Sequence, residues 1–168
     1  MLQDTENPWK IFAEQIGAKY HLSEEGTSRV TGSYRGYVFE LKIIFIQAAP
    51  KVNLFLTHFE LELKQPTDLR LKIYREGILQ KLTKLFGTRD IILNDRYFDK
   101  KFIVEGSHED YIKQMLSPDI RATISELGEL LMILDGTKLI YEQSGKIIDL
   151  NKLYKILDLL VTLATKLE

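Results

Sequence analysis

The sequence predicts an α+β fold: an antiparallel β-meander sheet with helices packed mainly on one face, a short hairpin in the C-terminal half and a long closing helix. Three observations carry this. Between Lys19 and Arg75 apolar residues recur at every second position, the period of a half-buried strand. From Leu150 to Leu167 they recur at i, i+3, i+4 and i+7, the period of one helix face. Between these regions the run Phe98 to Tyr111 reads as a strand leading straight into a capped helix.

The first element follows from Asn7-Pro8. A side-chain oxygen there can hold free N–H groups, and the proline ring presets φ for a helix. Trp9, Phe12, Ala13 and Ile16 then share one face, and Gly17 stops the helix. Tyr37, Phe39, Leu41, Ile43 and Phe45 predict a strand with one core face, with Glu40 and Lys42 on the other side. Phe55, Phe59, Leu61 and Leu63 repeat the pattern, as do Leu69, Leu71 and Ile73. Turn chemistry separates them at Tyr34-Arg35-Gly36, Ala48-Ala49-Pro50 and Gln65-Pro66-Thr67-Asp68. Such short links favour antiparallel neighbours.

Ile78 to Phe86 returns to helical spacing, with Gly87 as its stop. Asp90–Leu93 and Lys101–Glu105 read as short strands. Ser107 is expected to cap a helix with Asp110 three residues on, and Ser117-Pro118 ends it and starts another that runs to Leu127. Asp135-Gly136 between two apolar runs predicts a type I′ hairpin over Leu130–Tyr141, with both turn residues at positive φ. Asp149 caps the last helix. Residues 1–7 are read as a disordered tail and residues 8–168 as one domain.

Composition narrows the function classes. A chain of 168 residues buries roughly 70% of its unfolded surface, enough for a proper core. With 45% hydrophobic and 28% charged residues it is an ordinary globular sequence, and a net charge of −1 gives no whole-molecule pull on nucleic acid or anionic membrane. The absence of cysteine excludes disulfides, thiol nucleophiles and Cys-ligated zinc. No apolar run reaches the ~18 residues of a transmembrane segment, and the polar N-terminus does not read as a signal peptide. The expected compartment is the cytoplasm.

Chemistry-bearing residues are sparse. His58, Glu60 and Glu62 share one strand face and offer metal-type ligands. Strand neighbours two apart lie ~6.5–7 Å from each other, however, so a closed site needs a second element. The expectation is no metal and no cofactor. Asp99, between Phe98 and Lys100, reads as a turn residue; the alternative function is a metal-dependent or hydrolase-like enzyme that uses His58, Glu60 and Glu62, or else Asp99. His21 and His108 are isolated. Arg70, Lys72, Arg75, Lys81, Lys84 and Arg89 form a basic stretch that suits an anionic lipid or nucleic acid, although the nucleic-acid signal is not strong. No phosphate-loop, dinucleotide, zinc-protease or nucleophile-elbow motif occurs.

The closing helix has an apolar arc of roughly 220°, wider than the ~100° that rests on one surface. Ile156, Leu159 and Leu163 lie on its added flank. Their cover is expected from the Pro118–Leu127 helix or from the same helix of a second copy in a homodimer.

Phe98-Asp99-Lys100-Lys101-Phe102-Ile103-Val104, Tyr111, Met115-Leu116-Ser117-Pro118, the Leu130–Tyr141 hairpin and the helix Leu150–Leu167 follow each other in a recognisable order. Residues 98–168 resemble the C-terminal part of an uncharacterised bacterial domain family, a domain of unknown function whose members often carry N-terminal membrane helices. Tyr34-Arg35-Gly36 before a long apolar strand is also similar. The resemblance implies the fold and no catalytic residues; the membrane helices do not carry over to this sequence. Together these readings favour a non-catalytic binding, scaffold or regulatory domain that works through a protein partner.

Overall fold

The Asn7 side chain accepts from the Trp9 N–H at 3.1 Å, and Gly17 closes the helix at φ 70°, so the first element α1 spans Pro8–Ile16 as its caps dictate. This computed structural model describes residues 7–24, 26–49, 52–75 and 90–168. The predicted helix over 78–86 and the cations Lys81, Lys84 and Arg89 lie outside the described residues.

Strands β1 (Lys19–Leu22), β2 (Ser28–Tyr34), β3 (Tyr37–Ala49) and β4 (Val52–Glu62) form the predicted antiparallel meander. β5 (Leu71–Arg75), α2 (Arg96–Asp99), β6 (Phe102–Gly106), α3 (Glu109–Met115) and α4 (Pro118–Leu127) follow. The hairpin β7 (Leu131–Asp135) and β8 (Lys138–Ser144) then leads to α5 (Leu150–Lys166). All eight strands belong to one sheet, in the order β1-β2-β3-β4-β8-β7-β5-β6. The late hairpin therefore sits inside the sheet, between β4 and β5, instead of standing apart from it. The α+β reading holds, and the meander is interrupted after its fourth strand.

Local details depart from the expectations where long-range partners decide. Asp90–Leu93 contributes one bridge, Asp90 to Glu105, and no strand. Phe98 and Asp99 belong to the short helix α2, whose cap Asp95 accepts from the N–H groups of Tyr97 and Phe98. Ser107 does not cap α3. The N-cap is His108 at φ 57°, and the Ser107 hydroxyl instead accepts the Arg70 N–H at 2.9 Å. Gly106 is needed there because a Cβ would lie 2.4 Å from the Arg70 carbonyl oxygen and 2.5 Å from the Ile112 side chain. In the β7–β8 hairpin Asp135 still pairs with Lys138, so the turn residues are Gly136 and Thr137, and of these only Gly136 has positive φ. The turn with both central residues at positive φ is Arg35-Gly36, between β2 and β3.

The core lies between the sheet and its helices. Phe12 of α1 meets Phe39 and Phe59 edge-on, with ring centroids 6.5 and 6.4 Å away, and Tyr154 of α5 at 5.1 Å. Trp9 is buried, and its indole N–H donates to the Ile147 carbonyl at 2.7 Å. Ile156, Leu159 and Leu163 are 0%, 3% and 0% exposed. α5 packs against β4, β8, α1 and α4 of its own chain, so the wide apolar arc is covered internally and these three side chains present no surface to a second copy.

Candidate functional site

Two surfaces of the described residues carry the features a binding function needs. The first is the sheet face opposite α1 and α5, where β2, β3, β4 and β8 display their alternate side chains. Strand register places Glu40 directly opposite Glu60, and like charges so placed repel. Cations offset this on both sides. Glu40 is held by Lys42 at 2.7 Å and by Arg29, Glu60 by Lys138. Partial burial works against ionisation of both carboxyls, yet the hydrogen bonds and charges of Lys42 and Arg29 at Glu40, and of Lys138 at Glu60, hold both below the ordinary carboxylate value. Lys138 is raised in turn, first by its hydrogen bond to Glu60.

His58 is buried at the centre of this array. Its Nδ1 lies 2.8 Å from Glu142 Oε1, and its Nε2 lies 3.6 Å from Glu60. Glu142 faces it across the β4–β8 ladder, a partner 84 positions away that the local pattern does not announce. Glu62 is exposed on the rim and does not join His58. No group of three or more His, Asp or Glu suited to hold a metal occurs among the described residues. Beside the array runs an open groove of ≈ 500 Å³ lined by residues including Arg29, Thr31, Glu40, Glu60 and Glu62.

The other sequence candidates lie apart from it. Asp99 accepts the Leu93 N–H at 3.1 Å and the Asp95 N–H at 3.0 Å, which makes it the fastener of the loop before α2. Arg70 and Arg75 are exposed at opposite ends of β5, whereas Lys72 between them is 4% exposed, with its ammonium 5.0 Å from the Tyr74 ring centre. Burial lowers the Lys72 ammonium below the ordinary lysine value, with Glu105 opposing the shift. The described part of the basic stretch therefore does not form one anion-facing patch.

The second surface is one the alternation pattern misassigned. β2 pairs with β3 only as far as Lys42, and β8 pairs with β4 only from Thr57. Past that line β3 and β4 continue as a two-stranded arm, with Ile44 opposite Leu56, Phe45 opposite Phe55 and Ile46 opposite Leu54. Phe45 and Phe55, expected in the core, are 66% and 47% exposed, and Leu54 is 41% exposed. Thr57 marks the boundary. Fully buried, it donates to the Gly145 carbonyl at 2.6 Å and accepts the Ile147 N–H at 3.0 Å. One signal of the arm was present in the sequence. After Lys42 the alternate positions Ile44, Ile46, Leu54 and Leu56 are apolar, where the inner strands carry charges.

Comparison with known proteins adds the fold. Neither a scan against protein-family models nor a search of curated proteins returns a match. The chain is similar to the crystal structure of the mycobacterial trehalose monomycolate transport factor A, with a TM-score of 0.65 over 96% of this chain and 93% of that one, at 12% sequence identity. At that identity the likeness shows a shared architecture across nearly the whole chain. Among the described residues no helix is long and apolar enough to cross a membrane.

Proposed function

We propose that this chain is a non-catalytic binding domain, a scaffold or regulatory module that meets a partner protein on the polar sheet face. The observation that carries the reading is the commitment of the reactive side chains to one another. His58 is held between Glu60 and Glu142, Glu60 is bound by Lys138, and Asp99 is occupied by two backbone N–H groups. Groups so engaged order a surface; an acid/base catalyst needs a lone pair or proton directed at a substrate. The groove beside Glu40 and Glu60 offers alternating charge, which favours a partner of complementary pattern. The structural neighbour is named for transport and not for a reaction, which agrees with an accessory role. The cysteine-free composition suits the cytoplasm.

The test is a photo-crosslinking amino acid placed singly at Glu62 on the groove rim and at Thr162 on the helix side, in the cell of origin. Recurrent capture of one protein from Glu62 and not from Thr162 is the expected result. Equal capture from both positions, or none from Glu62, rejects the surface.

A further inference from the structure

The β3–β4 arm is a separate surface from the polar groove, and we infer that it docks this protein on a lipid bilayer by shallow insertion of Phe45, Leu54 and Phe55. Three observations carry the proposal. Over residues 44–46 and 54–56 the arm is apolar on both faces, short of the pair of Gln47 with Asn53 nearer its tip: Phe45 and Phe55 form a cross-strand pair on one side, Ile46 and Leu54 on the other. A protein groove covers one face of a ribbon, whereas the headgroup–acyl boundary receives apolar side chains from both of its faces. The sequence from Ile43 through Leu56 holds a single charged residue, Lys51.

Area separates the bilayer from a second copy. With ~150–250 Å² per aromatic side chain, exposures of 66%, 47% and 41% for Phe45, Phe55 and Leu54 amount to roughly 300 Å². Even with the half-buried Ile43, Ile44 and Ile46, the described apolar side chains of the arm fall short of the ~800 Å² that each partner of a stable dimer contributes. Insertion into lipid has no such minimum, because it scales with the apolar area transferred.

Position agrees. Of the nine large apolar residues exposed among the described residues, five lie at this end of the sheet. Leu22 ends β1 opposite Ser28, beside the root of the arm. Ile148 follows Gly145, whose N–H donates to the Phe55 carbonyl at 2.9 Å. Depth is limited by the backbone. Among the described residues neither outer edge of the arm has a neighbouring strand, the Leu56–Gly145 bridge at its root aside, and unpaired N–H and C=O groups do not enter hydrocarbon. The side chains therefore enter the interface while the ribbon stays at headgroup level.

The charges at the root do not form an anion cluster: Lys42 is paired with Glu40, which leaves Lys146, hydrogen-bonded to the Ser28 hydroxyl at 3.3 Å, as a single cation there among the described residues. Docking is thus expected on zwitterionic lipid and at high salt. The test uses full-length protein and phosphatidylcholine vesicles in a flotation assay. Wild type should float, and the Phe45→Asp/Phe55→Asp double variant should partition at least tenfold more weakly with an unchanged melting temperature. The chain's single tryptophan, Trp9, is fully buried, so a Phe45→Trp variant adds a probe at the arm. Its emission should shift to the blue on vesicles and not in buffer. A wild type that fails to float, a double variant that floats as well, flotation only on anionic vesicles, or an arm-dependent dimer in light scattering without flotation each overturns the proposal.

Discussion

The two halves of the β3–β4 ribbon share one run of alternate apolar residues, and that run meets opposite fates. In the inner half Phe39, Leu41, Phe59 and Leu61 alternate with Glu40, Lys42, His58 and Glu60, and neighbouring strands and helices bury the apolar set. In the outer half Phe45 and Phe55 continue the same register, with no further strand flanking the ribbon among the described residues, and they stand in solvent. The period of the pattern thus reports which side chains share a face. Whether that face is covered depends on how far the neighbours extend, and β2 and β8 are shorter than β3 and β4.

The largest test of this contrast compares two phenylalanines on one face of β4. Phe59→Ala should destabilise by about 3–5 kcal/mol, the cost of a cavity beside Phe12 and Tyr141, while Phe55→Ala should cost less than about 0.5 kcal/mol. Denaturant midpoints at constant slope measure both; equal losses would mean that the arm is packed. Next comes the boundary. Thr57→Val keeps the shape but strands the Gly145 carbonyl and the Ile147 N–H, which should cost about 1–3 kcal/mol in the same assay.

A smaller effect lies in the charge array of the inner half. The Glu60 carboxyl is lowered on folding, so its stabilisation is complete above the unfolded carboxylate pKa of about 4.3 and is lost as pH falls through the still lower folded value. Glu60→Gln should therefore flatten the acid limb of the stability profile by at most about 1 kcal/mol, since the pair is partly solvated. An acid limb unchanged in the variant would remove Glu60 from the array. The smallest expected change is that of Phe45→Asp, within about 0.5 kcal/mol of wild type by thermal melting. Amide exchange should rank the residues in the same way, with Ile44 to Ile46 exchanging faster than Phe39 to Leu41.

Much of the fold was legible because local chemistry decided it. Asn7 and Asp149 cap α1 and α5 as read, since each cap acts within three residues of itself. The strands were legible because alternation is also local. Ser107 misled because its hydroxyl had a better offer from Arg70, 37 positions away. The strand order was not legible, since nothing in Leu131–Ser144 states that its edges match Glu62 on one side and Tyr74 on the other. The candidate surfaces divide similarly. His58 and Glu60 were identifiable as one face, but their partners Glu142 and Lys138 come from a strand made much later.

The central place of the β7–β8 hairpin sets a timetable for the nascent chain. β4 ends at Glu62, and the strand that covers its edge begins at Lys138. At ~5–20 residues per second, that edge waits roughly 4–15 s on the ribosome before its neighbour exists. The β5–β6 pair waits as well, because among the described strands β7 is the one that joins it to the rest of the sheet. Chains cut short before residue 131 thus hold two unjoined sheet fragments with bare edges, the form in which strands find wrong partners.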